Sequence, residues 1–273
     1  MQDRTAGPIR LRMKSKRLPA AVSGWLGRQF DRMLGFARFN AIYADFAPCA
    51  AAEASRNFLD RLNIRVDMDG EPLSSVPKKG PLLFVANHPH GLVDGFALDA
   101  QLTPTRPDGW LMGFYVLGEV PEFRERLITV DPERKRSKRR RNLRGWREAY
   151  RLLERGGALV VFPAGAVSRF DRKARRPRDP EWSPHIAALA RRTGAAVMPF
   201  HIHGRNSWPY LFLGAISPKL QNLLVFSEMQ RTRGRVVRIT AGPVVTAEEL
   251  AVLPNNEAAI AYLRDKSDAL AGR

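Results

Sequence analysis

The sequence predicts an α/β fold: a mixed, mostly parallel sheet flanked by helices, with an amphipathic helical segment at the N-terminus. Two observations carry this. Short uncharged runs, Pro81–Ala86, Ala158–Phe162 and Ala195–Ile202, have the length and composition of buried strands. Between such runs lie helical stretches, two of which end at Gly156-Gly157 and Gly194, as helix C-termini commonly do. Strands separated by helices imply a sheet with helices packed on it.

Residues 1–17 are basic and irregular and read as a flexible arm. From Leu18 to about Leu62 the pattern is helical. Val22, Trp25, Leu26, Phe30, Met33, Leu34 and Phe36 recur at three- and four-residue spacings, with Arg28, Arg32 and Arg38 among them. Such a stripe suits a core-facing helix, and Trp and Phe opposite Arg is also how an interfacial helix is built. Residues 18–74 are therefore read as a membrane-docking segment and 75–273 as the main domain. Ile64–Met68 resembles a short strand closed by Asp69-Gly70. Lys78-Lys79-Gly80 turns the chain into the first core strand. Leu92–Leu102 reads as a helix, Gly109–Tyr115 and Leu127–Val130 as strands, and Lys138–Arg155 as a helix. Ala158–Phe162 is a strand, Pro184–Thr193 a helix, Ala195–Ile202 and Val236–Ala241 strands, and Asn255–Ala271 a closing helix. No internal repeat is present.

At 273 residues and 44% hydrophobic content the chain fits one large domain, or a domain with an appendage, and needs no staples. The single cysteine, Cys49, excludes an internal disulfide and a cysteine-based zinc site; it reads as a small buried residue. The formal charge of +18, from 45 Lys and Arg against 27 Asp and Glu, favours a polyanionic partner. An anionic membrane surface, an acidic carrier protein and nucleic acid all qualify. The basic run Lys135–Arg141 has no recognition motif beside it, so nucleic acid is not the expected partner and the run reads as solvated surface or a docking patch. The start, Met1-Gln2-Asp3-Arg4, has no apolar region of a secretory signal. The longest uncharged candidates, Gly80–Val93 and Asn206–Pro218, fall short of the ~18–20 residues that span a bilayer. The expectation is a soluble or peripheral chain.

The most informative stretch is Asn87-His88-Pro89-His90-Gly91-Leu92-Val93-Asp94, directly after the first apolar run. Titratable groups delivered at the end of a buried strand sit where α/β folds build their sites. A His held by an Asp takes a proton from an alcohol, because the carboxylate fixes the tautomer and stabilises the imidazolium that forms. Two pairings fit: His88 with Asp94, or His90 with Asp94 at i and i+4 on one helical face. A second block, Phe162-Pro163-Ala164-Gly165-Ala166-Val167-Ser168-Arg169, follows another strand. Its Pro removes a backbone donor, its Gly allows close approach, and Ser and Arg follow at the mouth. This suits a polar or anionic group lying over exposed amides.

Taken in order, these blocks make the chain resemble the glycerolipid and lysophospholipid acyltransferases of the bacterial phosphatidic-acid-forming type. Asn87-His88…Asp94 is similar to the family's Asn-His-(x)4-Asp. Leu127–Val130 followed by Asp131-Pro132-Glu133-Arg134 resembles its strand ending in Arg. Phe162-Pro163-Ala164-Gly165 is similar to its Phe-Pro-Glu-Gly, and Ala196-Val197-Met198-Pro199-Phe200 to its Val-Ile-Pro-Val strand. The resemblance covers residues 75–245. It implies transfer of a fatty acyl group from acyl carrier protein or coenzyme A to the hydroxyl of a lysolipid. His88 is then the general base, oriented by Asp94, and Asn87 before it matches the family pattern. The resemblance implies substrate-binding roles for Asn87, His90, Arg134, Phe162, Pro163, Gly165, Ser168 and Arg169. It requires no metal, no covalent intermediate and no cofactor beyond the thioester co-substrate. Its setting is the cytoplasmic face of the inner membrane, with anionic lipid and the carrier protein as partners.

Three departures bear on the acceptor. His88 and Asp94 are separated by five residues where the family has four, Ala164 stands where it has Glu, and Val167 where it has Arg. In the family that block is linked to the acceptor's glycerol phosphate, and losing a charge-assisted phosphate contact is costly. Together with Gly204-Arg205-Asn206-Ser207-Trp208, the variant block resembles the branch that completes ornithine and other amino-acid lipids. A lyso-amino-acid lipid such as lyso-ornithine lipid is the expected acceptor, with Arg169 as substitute cation and lysophosphatidic acid as the alternative. The rival class is a non-catalytic basic protein that binds membrane or nucleic acid by charge alone. His201 and His203 share one face of a strand but lack a further ligand at suitable spacing, so they are not read as a metal pair. His185, at a helix start, reads as a surface or capping residue. Trp208–Leu213 suits either the core or the acyl chain and bilayer.

Overall fold

A computed structural model of the protein describes residues 7–9, 27, 29–131 and 139–272. Most of the basic arm, the stripe residues Val22, Trp25 and Leu26, and Arg134 through Lys138 lie outside the described residues. The chain runs α1 (Phe36–Ala44), α2 (Ala54–Arg61), β1 (Arg65–Gly70), β2 (Leu82–Ala86), α3 (Leu92–Leu102), β3 (Gly109–Phe114), α4 (Pro121–Arg124), β4 (Leu127–Val130) and α5 (Arg139–Glu154). It continues through β5 (Ala158–Val161), β6 (Arg169–Asp171), β7 (Arg176–Arg178), α6 (Pro184–Thr193), β8 (Ala196–Ile202), α7 (Trp208–Ile216), α8 (Pro218–Met229), β9 (Val236–Ala241), α9 (Ala247–Ala251) and α10 (Asn256–Asp268).

Among the described residues seven strands form one sheet in the order β1-β9-β8-β2-β5-β3-β4. Every pairing is parallel except β8 with β9, so the sheet is mixed and mostly parallel. The apolar run of β2 takes the middle because all five of its residues are buried, which only a strand covered on both faces allows. Side chains alternate between two cores, as the two-residue period of a strand requires. Leu82, Phe84 and Ala86 join one cluster, with Phe39, Phe58 and Phe96; Leu83 and Val85 join the other, with Ile186 and Leu263. Leu82 is in register with both Ala158 and Ala196. The C-terminal ends of β2, β5 and β8 therefore reach the same edge of the sheet, and the two motif-bearing loops leave there.

The N-terminal segment differs from its expected form. The helical stretch 18–62 is broken, with α1 ending at Ala44 and α2 starting at Ala54. Its described part shares the core of the main domain. Phe39 stacks on Phe58 at 4.5 Å, Phe58 on Phe96 at 5.2 Å, and β1 pairs with β9 at the edge of the sheet. Along the expected stripe Leu34 and Phe36 are buried while Phe30 and Met33 stay exposed. Cys49 is half-buried rather than buried, and burial pushes its thiol pKa up, away from the nucleophilic thiolate.

Two elements escaped the sequence reading. Residues 169–178 form the β6–β7 hairpin, separate from the main sheet. Residues 208–229 form the helical pair α7–α8 inserted between β8 and β9. Each of these helices begins with a Ser cap followed by Pro in the first turn: the hydroxyl of Ser207 accepts from the Tyr210 amide and that of Ser217 from the Leu220 amide.

At the edge opposite the motif loops, fully buried Arg106 joins three loops. Its guanidinium donates to the carbonyls of Pro77, Gly80 and Gly156 at 2.9, 3.0 and 2.9 Å and to both carboxylate oxygens of Asp108. Replacing Arg106 by Met takes this donor from all three carbonyls and from Asp108. The expected cost is about 3 kcal/mol of unfolding free energy in a urea titration. A loss under about 0.5 kcal/mol would show that the clasp is dispensable.

Candidate active site

The turn after β2 is fixed by one carboxylate. Asp94, fully buried in the first turn of α3, accepts on Oδ2 from the His90 amide (2.8 Å) and the Gly91 amide (3.0 Å), and lies 2.9 Å from His88 Nδ1. The positive end of the α3 dipole favours a negative charge at this position. Gly91 is required here: its φ is +79°, and a Cβ would come within 2.8 Å of Val225 Cγ2. The five-residue separation of His88 from Asp94 is absorbed by this turn.

The geometry separates the two histidines. The ring of His90 faces away from Asp94 and meets the His203 carbonyl through Nε2 at 2.9 Å. It fills the space over Gly204, where an added Cβ would sit 3.0 Å from the ring. The His88 ring stacks on Phe162 with centroids 4.0 Å apart, and its Nε2 makes no hydrogen bond among the described residues. A ring whose Nδ1 is held by a carboxylate and whose Nε2 is free is arranged to take a proton at Nε2.

A cleft of about 1250 Å³ opens at this edge of the sheet. His88, Phe162, Pro163, Gly165 and Arg169 line it, and Leu92, Leu111, Leu117, Val130 and Trp146 give it apolar walls. The Arg169 guanidinium forms no ion pair or hydrogen bond among the described residues. Ala166 and Val167 also line the cleft, and no hydrogen bond among the described residues uses their amides.

Three residues read as substrate-binding are not among those lining the cleft, and each is hydrogen-bonded within the protein. The Asn87 amide donates to the Ile202 carbonyl at 2.9 Å and accepts from the Ile202 amide at 2.6 Å, extending the β2–β8 pairing past the end of the strand. Ser168 is buried, and its hydroxyl donates to Asp179. His90 is held by His203 as described. Arg134 lies outside the described residues. His185 is exposed and forms an edge contact with Trp146. His201 and His203 lie 5.0 Å apart, and burial lowers the pKa of both imidazoles; among the described residues no three His, Cys, Asp or Glu gather as metal ligands.

Asp179 was not anticipated from the sequence. It is a second buried carboxylate, accepting from the His88 amide at 3.1 Å, from the Ser168 hydroxyl and from Trp182 Nε1 at 3.2 Å. Burial pushes its pKa up, and the bonds from Ser168, His88 and Trp182 oppose that shift. The Ser168 amide in turn donates to the His88 carbonyl at 2.8 Å, so the two motif loops are bonded to each other.

No family model matches the sequence. The chain is similar to two proteins named lyso-glycine lipid O-acyltransferase. That of Phocaeicola vulgatus is 28% identical over 214 residues, covering 70% of this chain and 66% of the relative. That of Bacteroides thetaiotaomicron is 28% identical over 204 residues, covering 70% of this chain and 68% of the relative. The match thus spans just under two thirds of the first relative's length. A structural likeness extends to the 1-acyl-sn-glycerophosphate acyltransferase of Thermotoga maritima, at 17% identity and a TM-score of 0.47 over 90% of this chain and 91% of that one.

If Asp179 holds the His88 turn, replacing it by Ala exposes the His88 amide to exchange. A hydrogen bond to a charged group contributes ~1.5–3 kcal/mol, so amide hydrogen exchange at His88 should speed up about 10- to 100-fold. An unchanged exchange rate would show that the turn stands without Asp179.

Proposed function

We propose that this chain, a member of the glycerolipid and lysolipid acyltransferase family, moves a fatty acyl group from a thioester to the hydroxyl of an amino-acid lysolipid. The observation that carries the proposal is the His88–Asp94 pair, whose His88 lines an apolar cleft together with Arg169, a cation with no ion pair or hydrogen bond among the described residues. Asp94 accepts the Nδ1 hydrogen of His88, and Nε2 takes the proton of the acceptor hydroxyl. The oxygen attacks the thioester carbonyl. The resulting oxyanion lies against unclaimed amides, for which Ala166 and Val167 are the candidates. The carbon–sulfur bond then breaks, and the His88 imidazolium returns its proton to the departing thiolate. The reaction so written uses neither a metal nor a covalent enzyme intermediate. The stack on Phe162 and the bond from the His88 amide to Asp179 hold the base in place throughout.

The apolar walls suit the acyl chains of donor and acceptor. Arg169 suits the head group. Ala164 and Val167 supply no charge for a phosphate dianion, whereas a single guanidinium matches a single carboxylate bidentately. An N-acylated amino acid offers such a carboxylate, and the curated relatives are named for a lyso-glycine lipid. Glycine needs only this one cation, while ornithine would bring an ammonium that also wants a partner, so the glycine type is the better fit. The donor is an acyl carrier protein or coenzyme A thioester, and the charge of +18 attracts either. The working place is the cytoplasmic face of the inner membrane. Among the described residues no helix is long and apolar enough to cross a membrane.

Purified protein given acyl carrier protein thioester and a panel of lysolipids tests this reading. Transfer to an N-acyl amino-acid lysolipid is expected, with Arg169→Ala raising the acceptor KM. Strict preference for lysophosphatidic acid would overturn the proposed acceptor. His88→Ala and, separately, Asp94→Asn should each lower the rate by roughly 10²–10⁴ with liposome binding retained. Undiminished transfer by the His88 variant would sink the mechanism.

A further inference from the structure

Exposed large apolar side chains are concentrated on one region. Trp208, Phe212 and Ile216 of α7, Leu220 and Leu223 of α8, and the nearby Met33 are all exposed. Phe30, Met33, Leu213, Leu220, Leu223 and Leu224 line a shallow groove of about 530 Å³ with no polar residue among those lining it. Scattered apolar residues on a surface are ordinary, but a contiguous patch is not.

The patch is bordered by a dense cluster of positive charge. The β6–β7 hairpin carries Arg172, Lys173, Arg175, Arg176 and Arg178, all exposed, against one acidic residue, Asp171. Phe170 joins the hairpin to the helices, with its ring 4.6 Å from Phe212 and 6.2 Å from Trp208. Arg205 lies 4.2 Å over the Trp208 ring. A tryptophan beside an arginine at the rim of an apolar surface is the chemistry of a bilayer interface, where the ring sits at headgroup depth and the cation meets lipid phosphate.

We propose that the α7–α8 helical pair and the β6–β7 hairpin form one docking surface for an anionic lipid bilayer. The proposal rests on the acyl-transfer reading and names the face through which its acceptor arrives. Charge complementarity selects the occupant. A second copy of a chain with charge +18 would bring an equal cluster of cations against these, whereas anionic lipid neutralises them. The two faces of α8 supply the route. Leu220 and Leu223 point outward, while Pro218, Asn222 and Val225, at i, i+4 and i+7, line the cleft that holds His88. A lysolipid leaving the bilayer passes one helix, a thickness of about 10 Å, to reach the base. Arg169 stands at the start of the cationic hairpin and inside the cleft, so the strand that binds the surface also presents the head-group cation.

Sedimentation with phosphatidylcholine vesicles, with and without phosphatidylglycerol, tests the surface, using folded variants verified by circular dichroism. One variant combines Ile216→Glu with Leu223→Glu. The other combines Arg172→Glu, Lys173→Glu, Arg175→Glu and Arg176→Glu. The unaltered protein is expected to bind phosphatidylglycerol-containing vesicles in a salt-sensitive manner, and each variant to bind at least about tenfold more weakly. Both variants should keep their turnover of a short-chain acceptor in free solution while losing turnover of the same acceptor embedded in vesicles. Full vesicle binding by both variants, as docking through the N-terminal segment would give, overturns the proposal. So does a dimer that the Ile216→Glu/Leu223→Glu variant dissociates while the parent ignores vesicles. Vesicle binding that depends on these residues, in a protein that acylates no lysolipid, would uphold the surface and overturn the reaction instead.

Discussion

One buried oxygen, Asp94 Oδ2, gathers the His88 imidazole and the amides of His90 and Gly91 at the N-terminus of α3. Much of the site follows from that convergence. The two amide bonds shape the turn, and the turn delivers His88 to the same oxygen. The carboxylate is fully buried, so in the absence of these donors its charge would be costly to keep. The helix end, the glycine that permits the turn and the orientation of the imidazole thus all meet at one buried oxygen.

Asp179 braces the other side of the same turn. It takes the His88 amide while Asp94 takes the His88 ring, so the residue is gripped through backbone and side chain by different parts of the chain. Because Asp179 also binds Ser168, the turn after β2 and the loop after β5 are bonded into one unit. Preorganisation of this kind matters for a base, since a displacement on the order of 1 Å is enough to spoil proton transfer.

The sheet was legible in the sequence because its central strands are uncharged runs with clear edges, and that signal is local. Leu82–Ala86 and Ala158–Val161 were found for this reason. The His88–Asp94 pair was legible as one of two choices, and the second was removed only by the position of His203, whose carbonyl claims the His90 ring. Asn87 and Ser168 were visible as polar residues in the right loops, yet their partners, Ile202 and Asp179, lie 115 and 11 residues away and are set by the fold. Asp179 had no local signature at all, being an acid between an arginine-rich hairpin and a proline. The α7–α8 pair did carry one: Ser207 and Ser217, each followed within two residues by Pro, announce two helix starts inside an uncharged run. The strongly apolar character of that run hid the helical boundary, because no polar face marked its period.

Arg106 clasps three loops at the edge of the sheet remote from the chemistry. Such a division of labour bears on how the protein can change over generations. Substitutions in the loops around the cleft do not draw on the contacts that Arg106 supplies, so the cleft lining can vary without first losing the scaffold. Ala164 and Val167 stand in that cleft-lining loop, at the end of the sheet that Arg106 does not touch.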